Sequence, residues 1–406
     1  MKILIVSQVF WPDNVAVSLF VTDLANKLVE RGHQVHVIAG RYDYEDHKKK
    51  YALHENHQGL HIIRLKNSGL GKGNTFYRLF DFFTFNLLVF LKLSRIRKKS
   101  YDLVICSTVP PMLPFITSLF AKKIANKFFY WVMDIQPELS INSGMIRPTS
   151  LVARLLVKMG DFVFRKADHV FVLDKFMKEN VKDRLGNISK ITISPLWPVL
   201  EKQYNGNRED NPFRIKHQFQ EKIVIMYSGN HSYIHPIKDL LQAALSLKNE
   251  PDFNFVFVGS GVRKKEVLEF KAQHQLSNIV SLPFEPRELA HISLSAADFQ
   301  VVIMGDRQVG YTHPNKIYGA LFLGKPVIYI GPSPSHVTEI LDQCPGNILI
   351  EHGNGQKLAQ EILRLSSNKN EMNAVGQLNG KFASQHLDPD VLKNEMADQV
   401  VGLANS

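Results

Sequence analysis

Among 406 residues the chain holds only two cysteines, Cys106 and Cys344, in separate regions. That excludes a disulfide framework and a cysteine metal site, and it fits a reducing compartment. The histidines show no metal-ligand spacing, and HENH (54–57) reads as part of a polar loop, so no metal and no cofactor is expected. No charged residue occurs from Leu103 to Ala121, which is near the length of a membrane span, but Pro110, Pro111 and Pro114 interrupt it. Strand, turn and helix is the expectation there, not a transmembrane segment. The opening MKILIVSQVF lacks the long apolar core and small-residue cleavage site of a signal peptide and is expected to be a first strand. The G-x-G-x-x-G fingerprint is missing from the first strand-helix junction, VSQVFWPDNVAVS, which argues against a nicotinamide dehydrogenase.

What is present is positive charge. The formal net charge of +11 calls for an anionic partner: nucleic acid, an anionic membrane or phosphorylated ligands. Zinc-finger spacing, RNP-like aromatics and a long basic arm are all lacking, so no nucleic-acid partner is expected. Basic residues gather at RIRKK (95–99), AKK (121–123) and VRKK (262–265), although such runs are commonly just solvated faces.

The length suggests two domains of roughly 200 residues each. Apolar runs alternate with amphipathic stretches: ILIVS, a helix from Val17 to Glu30, QVHVIAG, HIIRL, a helix through 76–98, LVICS, FFYWVM, HVFVL and ITIS. This is the pattern of a parallel doubly wound α/β sheet. The polar stretch EKQYNGNREDNP (201–212) reads as a linker. The pattern then restarts with IVIMYSG, FNFVFVG, IVSLP, FQVVIM, PVIYIG and NILIE, and the tail from Asp388 suits one last helix. Glycines stand where strands end, at Gly40, Gly229, Gly259 and Gly261. In GYTHPNKIYGALFLGKPVIYIGP (310–332), Pro314 takes the expected first helical position and Gly324 the stop. A helix N-terminus of this kind suits a phosphate, while the alternative is an ordinary loop-helix-strand unit.

Taken together, FWPD followed by LANKLVERGHQVHVI, WVMDIQPEL (131–139), YSGNHSYIHPIKDLLQA (227–243), FVGSGVRKKEV (257–267) and HPNKIYGALFLGKPVI (313–328) resemble the GT-B glycosyltransferases of family 4. The branch they resemble acts in bacterial surface-polysaccharide assembly. The resemblance implies two Rossmann-like domains facing across a cleft: 1–200 on the acceptor side, 213–385 for a nucleotide-sugar, and 386–406 as a helix returning to the first. It implies a cytoplasmic, retaining transferase at the inner face of the membrane, moving a hexose or N-acetylhexosamine from a UDP-sugar to a lipid-linked saccharide. A nucleotide-sugar epimerase and a non-catalytic binding protein are the alternatives.

Carried over to this sequence, the resemblance places the donor against Ser228, Gly229, Asn230, His235, Gly259, Arg263, His313, Pro314, Asn315, Lys316 and Gly319, with Lys316 on the leaving phosphate. It places the acceptor near Asp13, Asn14, Asp134 and Glu138, the last two as candidate proton acceptors or orienting groups, or else as cap and turn residues. The sequence departs from the family at four charged positions. Its paired glutamates correspond to Tyr311 and Gly319, and its Arg and Lys to Asn230 and His235. Finally, FYRLFDFFTFNLLVFLKLSRIRKK (76–99) is apolar on almost every helical face and ends in basic residues, which fits either a helix lying in an anionic membrane surface or one buried against the sheet.

Overall fold

The computed structural model describes residues 1–70, 75–185, 187–200 and 202–406. The chain divides into two compact units. The first comprises Met1–Leu196, Gly310–His313 and Asp390–Ser406, and the second Trp197–Val309 and Pro314–Pro389.

The first unit is built on an eight-stranded sheet: β1 Lys2–Val6, β2 Gln34–Gly40, β3 His54–His57, β4 Leu60–Leu65, β5 Tyr101–Cys106, β6 Ala125–Trp131, β7 His169–Val172 and β8 Ile191–Ile193. Their order is β3-β4-β2-β1-β5-β6-β7-β8. Strands such as ILIV are apolar at every position because both faces of a parallel sheet are covered; Ile3 to Val6 are all buried. The helix Ala16–Glu30 shows why one side suffices to hold it. It buries Phe20, Val21, Leu24, Ala25 and Leu28, one stripe at helical spacing.

HENH is corrected by the structure. It forms β3, antiparallel to β4, rather than lying in a loop. Gln58 and Gly59 both take positive φ (49° and 85°), which is what a two-residue hairpin turn requires, and Glu55 pairs with Arg64 of β4. An edge strand wetted on both faces carries no apolar alternation.

The second unit holds β9 Ile223–Ser228, β10 Phe253–Val258, β11 Ile279–Leu282, β12 Phe299–Ile303, β13 Val327–Ile330 and β14 Ile348–Ile350, all parallel, in the order β11-β10-β9-β12-β13-β14. The direction of winding reverses between β9 and β12. Ligands of such sheets bind outside the strand C-termini at that reversal. Within the stretch read as a linker, residue 201 lies outside the described residues, and Arg208 is held by Asp298.

The helix Pro389–Asn405 contributes its residues from 390 onward to the first unit. There Arg31 pairs with Asp398 at 2.7 Å and Lys127 donates to the Leu403 carbonyl at 3.1 Å. Among the described residues no helix is long and apolar enough to cross a membrane.

Candidate functional site

In the second unit, three glycines let two loops and a lysine stem occupy one small space. Gly229, after β9, has φ +128°, and Gly259 and Gly261, after β10, have +135° and +133°. A Cβ on Gly259 would meet the Gly229 carbonyl at 2.2 Å, one on Gly261 the Asn230 side chain at 2.4 Å, and one on Gly229 the Lys316 Cε at 2.6 Å. Only glycine meets both the close approach and the φ.

Lys316 opens the helix Lys316–Phe322, which starts two residues after Pro314 because Pro314 and Asn315 form a tight turn first. In that turn Ile317 and Tyr318 donate to the carbonyls of Pro314 and Asn315. The Lys316 ammonium lies 3.7 Å from the centroid of the Tyr227 ring and has no hydrogen-bond partner among the described residues. Burial brings its pKa down to about 7. An ammonium over an aromatic face, shut from water and without a hydrogen-bond partner among the described residues, is an arrangement that an anion could complete.

Around it, burial pushes His235 down to about 3 and His231 to about 4, with the nearby Lys316 charge as a further cause. Both rings are therefore neutral. His235 Nδ1 lies 3.0 Å from the Tyr227 hydroxyl, and His231 Nδ1 lies 3.3 Å from the Ser260 carbonyl. Arg263, expected on the donor, is engaged with the loop: Nε donates to the Ser232 carbonyl, one terminal nitrogen to the Tyr233 carbonyl, and the other pairs with Glu266 at 2.8 Å. Ser228 is half-buried and Asn230 exposed. At Gly319 a Cβ would meet nothing nearer than Leu200 at 3.9 Å, so the fold itself does not demand glycine there.

His313 is grouped with the first unit, and its buried Nδ1 lies 2.7 Å from Asp174 Oδ2. The residues before it are held in the same unit. Ile135 donates its N–H to the Tyr311 carbonyl at 2.8 Å, and the Thr312 hydroxyl donates to Asp134 Oδ1 at 2.8 Å. Burial raises the Asp134 pKa against the opposing pull of that hydrogen bond. A carboxylate with raised proton affinity is suited to accept a proton.

Glu138 sits differently. Its Oε1 lies 2.8 Å from Arg184, which also holds Asp161, so the pair fixes the turn into the helix Glu138–Asn142. Asp13 is buried and accepts the N–H groups of Val15 and Tyr44, bracing two loops, while Asn14 is exposed. Nothing in the residue pattern singled out Tyr227. Its place near the C-terminal end of β9, two residues before the strand-end Gly229, was the available signal.

The chain matches the family model described as Glycosyltransferase Family 4 over residues 17–196, and the one described as Glycosyl transferases group 1 over residues 222–368. WbjE of Pseudomonas aeruginosa, named as a glycosyltransferase, is 24% identical over 257 residues, 62% of this chain and 64% of that protein, just under two thirds of its length. WcaI of Escherichia coli K12, named for colanic acid biosynthesis, is 20% identical over 361 residues, 85% of this chain and 87% of its own. Among solved structures, Anabaena HepE in complex with UDP-glucose superposes with a TM-score of 0.71 at 15% identity, covering 99% of both chains.

Proposed function

We propose that this chain, which belongs to the GT-B glycosyltransferases of family 4, transfers a hexose or N-acetylated hexosamine from a UDP-sugar to a lipid-linked saccharide in bacterial surface-polysaccharide synthesis. The observation that carries the reading is the Lys316 ammonium, without a hydrogen-bond partner among the described residues, behind the glycines at the ends of β9 and β10. Retention of configuration rests on the family resemblance. UDP as the donor carrier draws support from HepE, and the polysaccharide setting from WcaI.

In this reading Lys316 and the first-turn N–H groups of Asn315 and Lys316 meet the charge that develops on the leaving diphosphate. Such stabilisation is commonly the largest contribution to catalysis. Asp134, in the first unit, orients the acceptor hydroxyl. Titration with UDP, UDP-glucose and UDP-N-acetylglucosamine, followed by mass spectrometry of acceptor-free incubations, tests this. Slow hydrolysis of one bound UDP-sugar is expected, with Asp134→Asn keeping donor affinity and losing transfer. Epimerised nucleotide-sugar, or no binding of any of the three, would replace the reading with an epimerase or a binding protein.

A membrane-facing surface is part of the same proposal. The helix Thr75–Ser94 buries Phe85, Val89 and Leu93 yet exposes Phe76 (69%), Leu79, Phe80, Phe83 (61%) and Leu87. The helix thus has one buried face and one open apolar face, which supports the membrane-surface reading. Ring contacts run from Phe90 to Phe120 (5.0 Å) and from Phe115 to Phe162 (5.7 Å), so three helices lie in a row. The third, Leu151–Lys166, exposes Leu151 (80%), Val152 and Leu155. Arg95, Arg97, Lys98 and Lys99 follow the first. Salt-sensitive co-sedimentation with phosphatidylglycerol vesicles is expected, each basic residue contributing about 1 kcal/mol. Binding that survives charge reversal at all four would remove this surface from the proposal.

A further inference from the structure

In the first unit β4, β5, β6 and β7 all point the same way, so the helices that cross between them run side by side in the opposite sense. The helix Thr75–Ser94 ends shortly before β5, the helix Leu113–Ile124 passes straight into β6, and Leu151–Lys166 ends three residues before β7. Their C-terminal ends therefore stand at the strand N-termini, and their N-terminal ends at the strand C-termini. Lys123, donating to the Ser94 carbonyl at 2.7 Å, and Lys99, donating to the Ala125 carbonyl at 2.6 Å, tie the C-terminal ends of the first two helices together.

Exposed side chains sort along this axis. The first helix exposes Phe76, Leu79, Phe80, Phe83 and Leu87, while Arg78 and Asp81 among them are half-buried. The third exposes Leu151, Val152 and Leu155 at its start, with exposed Met145 just ahead. Basic residues gather at the opposite ends: Arg95, Arg97, Lys98 and Lys99 after the first helix, Lys122 and Lys123 closing the second, Arg165 and Lys166 closing the third, all exposed. A helix dipole favours cations there, and Lys99, Lys122 and Lys123 have partners within the fold. The side chains of Arg95, Arg97, Lys98 and Arg165 have no hydrogen bond or ion pair with any described residue, so their charge is left for an anionic partner. From Phe76 to Arg95 the chain rises roughly 28 Å along the helix axis, so the apolar and the basic ends are well separated. Arg147 and Arg154 stand at the apolar end, where a long stem lets the charge reach a headgroup.

We propose that the first unit docks obliquely on an anionic bilayer, with the N-terminal ends of these helices in the acyl boundary and their basic C-terminal ends at the phosphates. The strand C-termini then form the edge nearest the hydrocarbon, and Asp134, three residues beyond β6, lies on that edge. A saccharide held at the surface by its lipid meets this edge without leaving the membrane. The inference rests on the membrane-facing surface of the preceding reading and adds its direction, so a wrong direction leaves that reading standing.

The experiment places one fluorophore at a time on the full chain, bound to phosphatidylglycerol vesicles that carry a nitroxide quencher either at the headgroup or midway along the acyl chain. Native Cys106 and Cys344 are both buried, so a single exposed cysteine takes the label: Phe83→Cys or Leu151→Cys at the apolar end, Arg97→Cys or Lys166→Cys at the basic end. All four positions are exposed, so the substitutions leave the core intact. The apolar pair is expected to be quenched about twofold or more strongly by the acyl nitroxide than by the headgroup nitroxide, and the basic pair by a similar margin the other way. Equal depth at all four positions would overturn the oblique dock in favour of flat adsorption. The reverse order would overturn it too, and in both cases co-sedimentation persists. An apolar pair untouched by either quencher, in a chain that sediments as a dimer, would overturn the lipid occupant in favour of a second copy.

Discussion

Lys316→Met is expected to make the protein more stable and nearly inactive. The lysine pKa falls from 10.5 in the unfolded chain to about 7 in the folded one, because burial penalises the charged form. The sign follows. Between those values the unfolded chain binds a proton that the folded chain does not, so stability is lost as pH falls from 10.5 toward 7, and below 7 the penalty is complete. Methionine keeps the length of the stem over the Tyr227 ring and removes the charge. A gain on the order of 2 to 4 kcal/mol at pH 6 is expected, read as a higher midpoint in denaturant. Transfer should lose a similar amount, roughly 2 to 4 kcal/mol in kcat/KM, because the ammonium's partner would be charge that develops on the leaving phosphate.

A pH signature separates this from a general defect. A bound diphosphate restores the full charge on Lys316, so donor affinity falls as pH rises through about 7, more steeply than in the methionine variant. A lower midpoint, or transfer left intact, would remove Lys316 from the donor site.

Sequence and structure agree most closely where burial on two faces leaves a continuous apolar run. ILIV, FNFVFV and FQVVI could be read as strands because parallel strands covered by helices have no polar side. HENH could not, since an exposed edge imposes no pattern on its residues. At the site, the strand-end glycines were legible because a positive φ leaves few other choices. His313 was not: it is next to Pro314 in the chain, yet its partner Asp174 is far away in sequence and belongs to the other unit from Lys316. Arg263 looked like a phosphate ligand by type, and only its geometry shows three local engagements.

Asp298→Asn is expected to cost about 3 to 5 kcal/mol, the size typical of breaking a buried ion pair by removing one partner. Asp298 precedes β12 and is buried, receiving Arg208 Nε at 2.8 Å, Arg214 at 2.6 Å and the Val224 N–H at 2.8 Å. Arg214 is fully buried, so removing the carboxylate's charge strands a guanidinium without water. Arg208 also donates to the carbonyls of Gln220 and Lys222, so the same loss frees the chain leading into β9. Burial pushes the Asp298 pKa up, but the Arg208 hydrogen bond, the charges of Arg214 and Arg208 and the Val224 N–H outweigh it and hold it below 3.8. Its stabilisation is therefore present above 3.8 and lost as pH falls through the folded value. The Asn variant should lack that acid limb. Replacing Asp298 together with its fully buried partner, as in Asp298→Leu with Arg214→Met, should recover much of the loss, because the charge left behind, on Arg208, is one third exposed to water. The residue lies at the N-terminal end of β12, whereas Gly229 and Lys316 lie at the strand C-termini, a strand length of roughly 15 Å away. Donor affinity at low temperature should then be unchanged in Asp298→Asn. A destabilisation below about 1 kcal/mol would mean the triad is solvated and does not hold the sheet.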